Sequence, residues 1–326
     1  MRLFGFRRFS CALSPSAACR HFPGAAFFMV KSKSMETAEK VALLMGETLL
    51  YQRQWRIMDQ SGLGPGFDPL QSFAIDDTLC ESVGGGYAPP TARAWVHHRT
   101  VVLGIQDTRL PLLEEGLRFL AESGYRHVVR TSGGLAVPLD EGILNLTLVF
   151  PEREHAIDIN RGYEAMYAFV RAMFRDLTGE IEAREIAGSY CPGNYDLSIR
   201  GKKFAGISQR RLKKGVAVQI YLCVTGSGSE RAEVIRQFYA RGIRDLPVKY
   251  GYPKIVPENM ASLSELLGGD LTVEEAVLRF FRTVRTFSGE NCYSGALNEE
   301  ETKRYPYYYG RVLERNEKWL KNTDGK

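Results

Sequence analysis

Apolar residues recur at helical spacing from Glu36 to about Ile57, where Val41, Leu44, Leu49 and Trp55 stand among polar neighbours, and this spacing predicts a helix. The run SGLGPGFDP then breaks it. Asp68 is suited to a helix N-cap and Pro69 to the first helical position; Leu70, Phe73, Ala74, Leu79, Cys80 and Val83 follow at three-to-four spacing, which makes Cys80 a core residue of an amphipathic helix. RTVVLGI reads as a buried strand, LPLLEEGLRFLAESG as a helix closed by Gly124, YRHVVR as a strand running into Gly133 and Gly134, and ILNLTLVFP as a further strand. A helix is predicted from about Tyr163 to Leu177, then a loop containing Cys191, then the β-rich YDLSIRGKKFAGISQRRLKKGVAVQIYLCV and a helix after TGSGSE. The C-terminal part, with TVEEAVLRFFRTVRTF and YYYGRVLERNEKWLK, is helical. Strands paired through turns and interrupted by helices predict an α+β fold on a mixed, largely antiparallel sheet with packed helices, rather than a regular βαβ winding.

Composition alters this picture chiefly at the N-terminus. The 326 residues are 44% hydrophobic, enough for a sizeable core, and carry a formal net charge of +5. Six of the basic residues, Arg2, Arg7, Arg8, Arg20, Lys31 and Lys33, precede Glu36, the first acid; without residues 1–34 there remain 37 basic and 38 acidic side chains, a net charge of −1. A near-neutral body gives no electrostatic case for nucleic acid. The Arg- and Ser-containing leader has no apolar run long enough to span a bilayer, so no membrane partner is expected. It reads as a start called too far upstream, with Met29 or Met35 as the true beginning, or as an organellar transit peptide. Residues 35–326 are then expected to form a single catalytic domain with a helical C-terminal part. Outside the leader the cysteines are Cys80, Cys191, Cys223 and Cys292, widely spaced with no CxxC pair. A reducing, cytoplasmic setting is expected, with no metal site and no cofactor.

Three segments carry candidate chemistry. In RTSGGLAVPLDEGILN, two glycines after a strand leave backbone open to a ligand, flanked by Arg130 and Ser132 on one side and Asp140, Glu141 and Asn145 on the other; a plain hairpin or bulge explains the glycines equally well. In GSYCPGNYDLS, Cys191 is either a small buried filler or a nucleophile held on a bend. In GKKFAGISQRR, strand alternation turns Lys202 and Lys203 to opposite faces, so that one is solvated and the other points inward, where an ammonium near a thiol favours the thiolate. Histidine bases are scarce: His97, His98 and His127 read as structural or exposed, and His155 is an outside candidate. Ser227 or Ser229 as N-cap accounts for TGSGSE, which lacks the spacing of a phosphate loop.

In this order and spacing, RTSGGLAVPLDEGILNLTLVFP, GSYCPGNYDLS and GKKFAGISQRR resemble the catalytic domain shared by biotin and lipoate protein ligases and octanoyltransferases. The resemblance runs from about Trp55 to about Tyr239 and is strongest to the bacterial enzymes that move octanoyl groups from the glycine-cleavage H protein. It implies Cys191 as catalytic nucleophile, and Lys203 as the catalytic lysine that favours the thiolate and faces the acyl carbonyl. It also implies Arg130, Ser132, Gly133 and Gly134 as the lining of an acyl tunnel. The implied partners are the octanoylated H protein as donor and lipoyl domains of 2-oxoacid dehydrogenases as acceptors, with transfer through a Cys191 thioester in lipoate assembly. Leu135 and Leu139 depart from the ATP-using ligases, which have a third glycine and a histidine there, and Leu135 departs from the carrier-protein-dependent octanoyltransferases, which carry a positive residue at that place. Those two activities, and a non-catalytic acyl-binding protein, are the alternatives.

Overall fold

The computed structural model describes residues 49–152 and 156–321. The chain opens with strand β1 (Trp55–Gln60), helix α1 (Pro69–Gly84), strands β2 (Thr91–Trp95) and β3 (Thr100–Leu103), and helix α2 (Leu113–Glu122). Strands β4 (Arg126–Val129), β5 (Val137–Leu139) and β6 (Ile143–Pro151) follow, then helix α3 (Ile159–Met173) and strands β7 (Glu182–Ala183), β8 (Leu197–Ile199), β9 (Lys202–Leu212) and β10 (Gly215–Cys223). Helices α4 (Gly228–Ile243), α5 (Leu263–Leu267) and α6 (Val273–Phe287), strand β11 (Cys292–Ser294) and helix α7 (Glu299–Lys321) complete it.

The strands form an eight-stranded sheet in the order β11-β1-β2-β6-β10-β9-β8-β7 and a three-stranded sheet in the order β4-β3-β5. The large sheet is parallel at the β11-β1-β2 edge and antiparallel from β2 to β7, the mixed, largely antiparallel arrangement expected. Helix α1 packs on β6, β10 and β9 and is covered by α7, while α3 packs on the opposite face beside α6. Both hairpins around β9 turn in two residues with positive φ: Arg200 (51°) and Gly201 (76°) before it, Lys213 (50°) and Lys214 (63°) after it. Such turns match the right-handed twist of paired strands.

The predicted helix over 36–57 is corrected at its end. Residues 55–60 are a strand, and 36–48 lie outside the described residues. Arg56, a charged residue of that strand, is buried between Thr91 and Glu301. The helix expected from Tyr163 begins at Ile159, because the Asp158 side chain accepts the Arg161 N–H and caps it four residues earlier. The Asp68 cap and Pro69 start of α1 are as read, as is Ser227 at the head of α4.

Candidate active site

Cys191 lies in the loop between β7 and β8 and has φ of +45°, a left-handed conformation that costs a non-glycine residue energy and persists only where surroundings enforce it. Asp196 supplies that enforcement. Its Oδ1 is 2.8 Å from Lys203 Nζ, and its Oδ2 accepts the Ile186 N–H at 3.2 Å, which ties both ends of the loop to β9. Burial pushes the Asp196 carboxyl above its ordinary range in spite of the adjacent ammonium. The short β8–β9 hairpin pairs Ser198 with Lys203 and so brings Lys203 beneath the loop.

Lys203 is fully buried and Lys202 exposed, the alternation the sequence predicts. The Lys203 ammonium donates to the carbonyl oxygens of Tyr190 (2.9 Å) and Cys191 (2.8 Å) and to Ser189 Oγ (3.3 Å). It therefore reaches Cys191 through the main chain. The groups facing the sulfur come from the Arg130–Leu135 turn: the Leu135 N–H donates to Sγ at 3.1 Å, and an Arg130 Nη donates to Sγ at 3.4 Å and to Leu135 O at 2.6 Å. Gly134, at φ +109°, makes this approach feasible, since a Cβ there would overlap the Arg130 guanidinium and stand 2.9 Å from Sγ. A Cβ at Gly133 would meet open space.

These residues open onto a cavity of about 490 Å³. Phe73, Trp95, Val102, Val137 and Leu139 give it an apolar interior, while Arg130, Ser132, Gly133, Gly134 and Cys191 stand together in its wall. Arg130 Nε and Ser132 Oγ are buried there without a protein partner, two polar groups available to a ligand. Asn145 also lines the cavity, whereas Asp140 is bound by Arg231 (2.6 and 2.7 Å) and Glu141 by His98 (2.8 Å). The remaining candidates lie elsewhere. His97 is buried against Ser72, its pKa lowered to about 3 by burial and by Arg93; burial also lowers that of His127; and His155 falls outside the described residues. Cys80 and Cys223 are buried, and burial pushes both thiols up. Among the described residues no group of His, Cys, Asp and Glu is arranged to hold a metal, and no helix is long and apolar enough to cross a membrane. Sequence reasoning missed Leu135 N–H and Asp196. Neither has a signature of its own, although Asp196 stands in the same short stretch as Cys191.

Residues 68–285 match the family model described as the lipoyl protein ligase A/B catalytic domain. The chain belongs to this family. It is 59% identical over 272 residues to an octanoyl-[GcvH]:protein N-octanoyltransferase of Bacillus velezensis, covering 83% of this chain and 94% of that one. It is 52% identical over 273 residues to a lipoyl-[GcvH]:protein N-lipoyltransferase of Listeria monocytogenes, covering 84% and 98%. A solved lipoate-protein ligase A with bound ATP shares the fold, with a TM-score of 0.60 at 18% identity over 79% of this chain and 94% of that chain. As a member of the lipoyl ligase and transferase family at this identity, the chain is an acyltransferase of lipoate metabolism.

Proposed function

We propose that the enzyme moves octanoyl from a lysine of the glycine-cleavage H protein to lipoyl-domain lysines of 2-oxoacid dehydrogenases through a Cys191 thioester, in a reducing, cytoplasmic compartment. The observation carrying this reading is the Cys191 thiol, held at positive φ at the wall of an apolar cavity with two donors aimed at it. The thiolate attacks the carbonyl carbon of the donor amide, and the C–S bond forms as the oxygen takes up negative charge. Leu135 N–H and the Arg130 guanidinium are near enough to receive that oxyanion as the sulfur gives up their hydrogen bonds. The carbonyl then re-forms as the C–N bond breaks, and the donor lysine leaves as an amine, its nitrogen taking a proton from water. In the second half, the acceptor amine attacks the thioester, the thiolate departs and the amine loses its extra proton to water. Amide is exchanged for amide, so no nucleotide is consumed. Lys203 supports both halves by holding the carbonyls of Tyr190 and Cys191, which orients the nucleophile. Burying an acyl chain yields roughly 0.8 kcal/mol per methylene, so the cavity contributes several kcal/mol of donor recognition.

The test supplies an apo lipoyl domain with octanoylated H protein, octanoyl-acyl carrier protein, or octanoate plus ATP. Octanoyl transfer is expected from the H protein, with an octanoyl adduct on Cys191 by mass spectrometry and none in Cys191→Ala. Transfer only from the carrier protein, or only with ATP, overturns the donor assignment; a normal adduct yield in Cys191→Ala overturns the nucleophile.

A further inference from the structure

Part of the cavity lies over the α1 face of the large sheet, and strand register determines what lines that part. Trp95, Asn145, Tyr221 and Gly206 form one row across β2, β6, β10 and β9, and all four line the cavity. Gly206 is required in this row, because a Cβ there would come within 2.7 Å of the Tyr221 ring that lies across it. The next row, two residues along each strand and so about 6.7 Å away, consists of Arg93, Thr147, Gln219 and Ser208. This second row is a hydrogen-bonded belt closed by Asp76 of α1. Gln219 Nε2 donates to Asp76 Oδ2 at 2.6 Å, Thr147 Oγ1 donates to the same oxygen at 3.2 Å, and Arg93 pairs with Asp76 Oδ1 at 2.8 Å. On the other side, Ser208 Oγ donates to Gln219 Oε1 at 3.2 Å. Gln219 and Ser208 face the cavity, with Arg93, Thr147 and Asp76 fully buried behind them. Of the following row, Thr91, Val149, Ala217 and Arg210, none lines the cavity. On this face of the sheet the cavity stops at the belt; further lining comes from Ile207, Gln209 and Arg211 of β9 and Ile159 and Tyr163 of α3.

We propose that Gln219, held by Asp76 and Ser208, is the stop that sets the length of acyl chain the enzyme accepts; this rests on the acyl-transfer reading above. Both ends of its amide are engaged, so the side chain cannot swing away without leaving Asp76 and Ser208 short of a partner in a desolvated space. A chain whose methyl end reaches the Trp95–Gly206 row meets the Trp95 and Tyr221 rings, with the Asn145 amide already donating to Trp95 O. Further methylenes must displace the amide and place hydrocarbon against polar groups that then lose their bonds. An apolar wall gives way by changing rotamer, whereas this one is braced from two elements.

The test measures the rate of Cys191 acylation by H protein carrying octanoyl, decanoyl or dodecanoyl, for wild type, Gln219→Ala and the milder Gln219→Asn. Wild type is expected to prefer octanoyl over dodecanoyl at least tenfold, and Gln219→Ala to reduce that ratio at least tenfold, with Gln219→Asn shifting it the same way by less. Melting temperatures identify a variant that has not folded, in which case the other carries the comparison. Normal octanoyl acylation with an unchanged length profile in a folded variant overturns the stop alone. Absence of adduct on wild-type Cys191 at every chain length overturns the acyl-enzyme reading, and the stop with it.

Discussion

At the scale of single residues, the site depends on groups that carry no sequence signature. Gly134 is one of two adjacent glycines that look alike in the sequence, but only its missing side chain makes room for Arg130 and Sγ. Gly134→Ala is expected to cost about 1–3 kcal/mol in backbone strain and to slow Cys191 acylation about a hundredfold by displacing the sulfur; denaturant titration and adduct kinetics measure the two. Asp196 carries the Cys191 loop through Lys203 and Ile186. Asp196→Asn leaves the Lys203 ammonium buried without a charge partner, and a loss of about 3 kcal/mol or more is expected. Equal midpoints for variant and wild type in urea would show that the pair does not brace the loop. Cys191 and Lys203 were legible as a pair because they lie twelve residues apart across one hairpin. That the ammonium grips carbonyls and the guanidinium faces sulfur was not, since it depends on the φ of Cys191.

At the scale of elements, the turn that supplies Leu135 N–H is braced from two sides. Asp107, in the loop after β3, accepts the Gly104 N–H at 2.7 Å and the Tyr239 hydroxyl of α4 at 2.8 Å, and that hydroxyl accepts the Ala136 N–H at 3.3 Å. Burial raises the Asp107 pKa to about 6, although the Gly104 and Tyr239 donors oppose the rise. A carboxyl with its folded pKa raised binds its proton more firmly in the native state. The stability it contributes is therefore full below its unfolded pKa, near 4, and is lost as pH rises through 6, a change of about 3 kcal/mol. Asp107→Asn removes that titration. The melting temperature of wild type relative to the variant should fall between pH 4 and pH 7, and parallel profiles would refute the assignment. Helices α1 and α4 were readable from caps and period because each obeys local rules, while β1 was not, because its Arg56 is satisfied from 245 positions away.

At the scale of the whole molecule, α7 joins the two sheets. At one end Glu301 takes both Nη atoms of buried Arg56 on β1 (2.6 and 2.7 Å), and at the other Asn316 Oδ1 accepts the Val129 N–H of β4 at 2.7 Å. Between them Tyr308 and Arg304 bind Glu81 of α1. Glu301→Ala strands a buried guanidinium and is expected to cost about 3–5 kcal/mol, whereas the double change Arg56→Met with Glu301→Leu should recover most of it; thermal melts of the three proteins decide. The C-terminal helix thus belongs to the same body as the site.

The sequence by itself determined helices α1 and α4 with their caps, the α+β class, the inward lysine and the short list of cysteine, lysine, arginine and glycines, because these follow from local period, turn chemistry and residue type. Tertiary structure decided which cation meets the sulfur, which carboxylate braces the loop and where the cavity ends. Those contacts join strands and helices distant along the chain, and their energies depend on burial and register, which exist only once the sheet has formed.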